Sequence, residues 1–118
     1  MKYALLIYPK LGSHEELGED EYKSVNAEYW ALREDSRCVG GAHLQPAEMA
    51  TTVRFGAAAN LITDGPFADT KEVVGGYYVV EASDLDEVLE FAQRIPAVRL
   101  GGAVEVRPLV EVPVETAH

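Results

Sequence analysis

The sequence predicts an α+β domain with the ferredoxin-like order β-α-β-β-α-β and one inserted hairpin. Three observations lead there. The runs "KYALLIY" (2–8) and "VVGGYYVVEA" (73–82) are apolar at both alternating sets of positions, as strands buried on two faces are. Two other segments repeat apolar residues at helical spacing. The topology places its first and third core strands at the centre of the sheet, and the two doubly apolar runs occupy those places.

Each element follows from local chemistry. The first strand ends at Pro9, and its short, tyrosine-interrupted apolar run does not read as a signal peptide. In "EYKSVNAEYWALRED", Tyr22, Val25, Tyr29 and Leu32 form one stripe of a helix. Residues 37–44 read as a second strand, weakened by Gly40 and Gly41. "TTVRF" and "NLIT" form the inserted hairpin around "GAAA". The third core strand is expected over 73–82. A second helix follows from Asp84 to Ile95, its apolar face made by Leu85, Val88, Leu89, Ala92 and Ile95. Asp84 and Glu87 have capping-box spacing, and Pro96 is expected to stop the helix. "AVEVRPLVEV" closes the fold as an edge strand, limited by Pro108 and Pro113. With no repeat and no linker, residues 1–118 form one domain.

Composition narrows the function. A net charge of −10 argues against nucleic acid, whose phosphates need clustered Lys and Arg, and against an anionic membrane surface. No apolar run approaches the roughly 20 residues of a spanning helix. The lone Cys38 cannot form an internal disulfide, which suits a cytoplasmic protein. His14, His43, His118 and Cys38 lack metal-ligand spacing, and no phosphate-cradling glycine motif or serine elbow occurs, so neither metal nor cofactor is expected.

Two helices cover one face of a four-stranded sheet. On the other face either Tyr3, Leu5 and Ile7 or Ala4, Leu6 and Tyr8 remain. Monomers rarely expose such a patch, so a cover is expected: a second copy in a C2 homodimer, or the hairpin and C-terminal tail of the same chain.

Chemistry concentrates in "DGPFADTKEVVGG". Asp64 has two readings, a turn-former ahead of Gly65-Pro66 or a general acid/base at a strand end. Asp69, Lys71 and Glu72 make either a solvated, salt-bridged loop or a charged lip in which Lys71 suits a substrate carboxylate or an enolate-like intermediate. Phe67 reads as a plug that pins the loop to the core. Gly75 and Gly76 mark either a bulge or close contact, or a space for a ligand lined by Tyr77 or Tyr78. His43, at a strand end, is either a surface or hydrogen-bonded residue or a second proton carrier. Arg54 is a candidate carboxylate clamp or a strand-surface ion pair.

The signature D-G-P-F-A-D-T-K-E with its following G-G-Y, "DLDEVLEFAQRIPA", "VEVRP", and upstream "LQPAEMATTVR" resemble the DGPF branch of the YCII-related proteins. The resemblance implies a dimeric α/β-barrel of ferredoxin-like protomers. It implies no established activity: the branch is bacterial, largely uncharacterised and often encoded near extracytoplasmic-function sigma factors. The wider superfamily holds isomerases, lyases, oxygenases and ligand-binding modules. Other YCII proteins carry a His on the first helix and an Asp before a Pro at the end of the second. Here those places hold Val25 and Ile95, so that dyad does not carry over. Two readings result: a cofactor-free isomerase or lyase acting on a small organic acid, and a non-enzymatic ligand-binding or regulatory dimer linked to sigma-factor signalling.

Overall fold

The computed structural model of the chain describes residues 1–67 and 72–111. Four strands form one antiparallel sheet: β1 (Lys2–Tyr8), β2 (Cys38–His43), β5 (Gly76–Glu81) and β6 (Ala103–Pro108), in the order β2-β5-β1-β6. The two central strands are the two doubly apolar runs, and β6 is an edge strand ended by Pro108. The ferredoxin-like fold therefore stands as expected. A separate two-stranded ribbon, β3 (Thr51–Phe55) and β4 (Asn60–Asp64), is the inserted hairpin.

The helices lie on one face. Helix α1 (Glu19–Arg33) turns Val25 and Leu32 inward, and α2 (Leu85–Gln93) turns Val88, Phe91 and Ala92 inward. They pack on Tyr3, Leu5, Ile7, Tyr78 and Val80 of the central strands. Phe91 meets Tyr78 edge to face at 5.5 Å between centroids, and the Tyr78 hydroxyl donates to the Tyr29 carbonyl at 2.8 Å. A buried aromatic pair with a satisfied hydroxyl fixes α1 and α2 against the same strand.

Some boundaries differ from the sequence reading. Asp84 caps α2 as expected, accepting from the Glu87 N–H at 2.9 Å. The reciprocal bond is displaced by one residue: the Glu87 carboxylate accepts from the Ser83 N–H and hydroxyl. Helix α2 ends at Gln93, and Pro96 opens the short helix α3 (Pro96–Arg99) rather than only closing α2. Its missing N–H and fixed φ suit a first helical turn.

The α1–β2 junction is held by Asp35. Its carboxylate accepts from the Arg37 N–H at 2.9 Å, from Arg37 Nε at 3.0 Å and from Nη2 at 2.8 Å. Arg37 also reaches Glu90 at 2.8 Å, and its guanidinium lies 5.6 Å above the Phe91 ring. One arginine thus ties the start of β2 to α2.

The opposite face of the sheet, called the outer face below, carries Ala4, Leu6, Tyr8, Ala42, Tyr77 and Val79 by alternation and register. The ribbon does not cover it, since its principal contacts are between its own two strands.

Candidate functional site

The outer face opens into a cleft at one end of the sheet. The register pairs Tyr8 with Ala103 and Leu6 with Glu105, which places Tyr8, Ala103 and Glu105 on that face. The small Ala103 side chain beside the Tyr8 ring leaves a hollow. Glu72, on the loop returning to β5, forms another wall. The resulting cleft, lined by Tyr8, Glu72, Ala103, Val104 and Glu105, has a volume of about 430 Å³. Ligand sites span roughly 300–1,000 Å³. Arg107, two residues along β6, donates to the Glu105 carboxylate at 3.2 Å. The cleft therefore brings together two carboxylates and a phenol, with a guanidinium bound to one of the carboxylates. Of these residues the sequence pointed to Glu72 in the charged lip and to Tyr8 on the uncovered sheet face. The alternation of Glu105 and Arg107 in "VEVRP" was the available signal for the rest.

The residues expected from the sequence are distributed over three places. Asp64 ends β4; it is exposed, and its carboxylate has no hydrogen-bond or ion-pair partner among the described residues. The turn after it is held by other groups: the Gly65 N–H donates to the Ala50 carbonyl at 2.7 Å, and the Thr52 hydroxyl donates to the Gly65 carbonyl. Gly65 has φ +92°, which a side chain would strain. The turn thus needs the glycine and, among the described residues, leaves the Asp64 carboxylate unengaged.

Arg54 lies on the opposite face of the ribbon from Asp64 and stacks over Phe67, 5.1 Å from the ring centroid. Phe67 is 71% exposed, so the expectation that it plugs the core is corrected: its partner is the guanidinium. Asp69 and Lys71 lie outside the described residues.

Gly75 precedes β5 and Gly76 opens it, so the pair sits at a strand entrance rather than mid-strand. The Gly75 N–H donates to the Ile7 carbonyl at 2.8 Å, and its carbonyl accepts from the Leu44 N–H at 3.0 Å. A Cβ at Gly76 would lie 2.9 Å from the Ala42 carbonyl oxygen, and one at Gly75 3.0 Å from Pro9 Cγ. Close chain packing accounts for both glycines. Tyr78 is only 5% exposed and belongs to the core. Of the two adjacent tyrosines, Tyr77 is the one that can line an outward surface.

His43 ends β2 opposite Gly76, exposed at the same end of the sheet. Close by electrostatically is His14, which the sequence reading treated only as a rejected metal ligand. His14 Nε2 and the Tyr29 hydroxyl are 2.8 Å apart, and Nδ1 and the Ser13 hydroxyl are 2.9 Å apart. Burial lowers the His14 pKa below its ordinary 6.5, with nearby Glu15 opposing the shift and His43 adding to it. A neutral ring has one donor and one acceptor nitrogen, and each of the two hydroxyls can serve either role. Burial pushes the Tyr29 hydroxyl up to about 12, opposed in part by the Ala97 N–H that donates to it. This cluster pins the 10–17 turn to α1.

Neither the outer-face cleft nor a second cleft of about 230 Å³, where Arg99 meets Glu28 between helices, is lined by Asp64, His43 or Arg54. Val25 and Ile95 are 2% and 1% exposed, both core residues.

The YCII-related domain model matches residues 1–113. An uncharacterized protein of Rhizobium meliloti (strain 1021) is 33% identical over 114 residues, covering 92% of each chain. Among solved structures, the fold is similar to that of 5-chloro-2-hydroxyhydroquinone dehydrochlorinase (TftG) from Burkholderia phenoliruptrix AC1100, in complex with 2,5-dihydroxybenzoquinone. That match has a TM-score of 0.53 and 21% identity, and covers 95% of this chain and 96% of the other. With its whole fold and nearly its whole length accounted for in this way, the chain belongs to the YCII-related domain family.

Proposed function

We propose that this chain is the subunit of a homodimer that carries out cofactor-free proton transfer on a small organic acid, as a lyase or isomerase. The observation that carries the reading is the outer-face cleft. It sets a loop carboxylate, Glu72, and a strand carboxylate, Glu105, around the Tyr8 phenol in a ligand-sized space. A carboxylate there can take a proton from a carbon next to a carbonyl. The electron pair left behind forms a new double bond as a leaving group departs, or the proton returns to another carbon. No oxidant or reductant is needed. Arg107 beside Glu105 supplies positive charge for a substrate oxygen. Asp64 is held as a further acid/base, Lys71 and Asp69 as substrate contacts of the same loop, and His43 as a second proton carrier.

Further support comes from the similar fold of TftG, a dehydrochlorinase bound to a small oxygenated quinone. The D-G-P-F-A-D-T-K-E run supports reading this chain as one of the DGPF branch of the family. A second reading, a ligand-binding or regulatory dimer, draws on Asp64 and Arg54: both are exposed on the ribbon and line neither cleft.

The test is a panel of small hydroxyquinones and keto acids incubated with the protein in D₂O and followed by proton NMR. Wash-in of deuterium or elimination, abolished in Glu72→Gln or Glu105→Gln with binding retained, supports the enzyme. Saturable binding without exchange for every ligand that binds supports the regulatory reading instead.

A further inference from the structure

From the β3–β4 ribbon we infer an arm that lies on the second copy of the chain and carries Asp64 to that copy's surface. The inference rests on the dimer proposed above and adds a part to it. Pairing Thr51 with Asp64, Val53 with Ile62 and Phe55 with Asn60 puts all six residues on one ribbon face. On that face Val53 is 62% exposed, Phe55 83% and Ile62 71%. A lone two-stranded ribbon is marginal in water, and here three of its four large apolar residues, all but Leu61, share one side, with few contacts to the four-stranded sheet or the helices.

Charge identifies the occupant. The chain carries −10, yet Arg54 and Asp64 are the only charges in residues 51–64 and they cancel. The strands of the outer face are balanced in the same way, with Lys2 and Arg107 against Glu81 and Glu105, and Glu72 at the cleft adds one further carboxylate. A basic partner would be drawn to the acidic surfaces elsewhere. A like-charged copy can approach closely only where the surface is neutral.

Area agrees. Four strands of about six residues have a footprint of roughly 400 Å², whereas each partner of a standard interface buries about 800 Å². The ribbon supplies neutral apolar surface toward that difference. It is also rooted in the right place: the Leu44 N–H bond to Gly75 ties its base to the end of the sheet where the cleft opens. Asp64 lies one ladder repeat from Ile62 on the same face, so a ribbon seated on the second copy presents its unengaged carboxylate there. The candidate acid/base would then serve the neighbouring subunit.

The experiment places p-benzoylphenylalanine at position 55 of the full chain, at a concentration where light scattering gives a dimer. Labelled and unlabelled chains are mixed so that crosslinks between copies can be told from those within one. Irradiation should yield covalent dimers carrying both labels, well above the yield from the same photo-residue at position 63 on the opposite ribbon face. A scattering dimer with only intrachain crosslinks, or with no excess over position 63, overturns the arm and leaves the dimer standing; a scattering monomer removes both. In parallel, Phe55→Ser with Ile62→Ser should raise the dimer dissociation constant at least about tenfold, from loss of apolar burial. An unchanged constant in a folded double variant also overturns the arm.

Discussion

Replacing Asp35 by Ala removes the acceptor that joins α1 to β2. Three bonds from Arg37 end on this carboxylate, one from the backbone N–H and two from the guanidinium. Hydrogen bonds to charged groups contribute about 1.5–3 kcal/mol each. They do not add in full here, because Arg37 keeps Glu90 and the backbone N–H regains water. The expected loss is therefore about 2–3 kcal/mol, or roughly 10 °C in melting temperature for a chain of this size. The pH dependence supplies a second signature. Arg37 bonding holds the Asp35 carboxyl well below the usual carboxylate range, with burial opposing it. A group depressed on folding contributes stability that is present above its unfolded value near 3.9. That contribution is lost as pH falls toward the folded value, by about 1.4 kcal/mol per pH unit. Urea melts of wild type and Asp35→Ala should differ by the full amount at pH 7 and converge between pH 4 and pH 2. Equal stability at pH 7, or a gap that persists undiminished at pH 2, would refute the reasoning.

Other perturbations test the packing. Phe91→Ala opens a cavity beneath Tyr78 and Arg37 and should cost about 3–5 kcal/mol in chemical denaturation. A loss below 1 kcal/mol would mean that Phe91 does not hold α2 on the sheet. Asp84→Ala removes the α2 cap and should cost about 1 kcal/mol, with Asp84→Asn nearly neutral. His14 should titrate below 6.5 by NMR. Because its pKa is lowered on folding, its contribution is complete above 6.5 and falls as pH drops below that value. A midpoint at or above 6.5 would contradict the buried, neutral ring.

Much of the fold was legible in side-chain patterning. "KYALLIY" has no polar face, and only a central strand can bury both. The Asp84 cap was legible because a carboxylate three residues before an N–H satisfies it locally. Limits of the reading arose where a residue answered to distant backbone. For Gly75 and Gly76 the sequence left a bulge or close contact and a ligand space both open; they are closely packed because Pro9 and the Ala42 carbonyl come from distant segments. Phe67 looked like a core plug because an apolar ring predicts burial, while its partner Arg54 lies across the ribbon. The cleft was hidden for a similar reason. Tyr8, Glu72 and Glu105 come from separate segments, and only the β1–β6 register brings Tyr8 beside Ala103. His14 was missed as an isolated histidine, since the Tyr29 hydroxyl that holds it lies on α1, 15 residues further along the chain.

The central claim is that a second copy covers the outer face and completes the site. Static light scattering behind gel filtration, at micromolar concentration and physiological salt, tests it most directly. The account predicts twice the chain mass of 12.9 kDa. A single species at 12.9 kDa would contradict it.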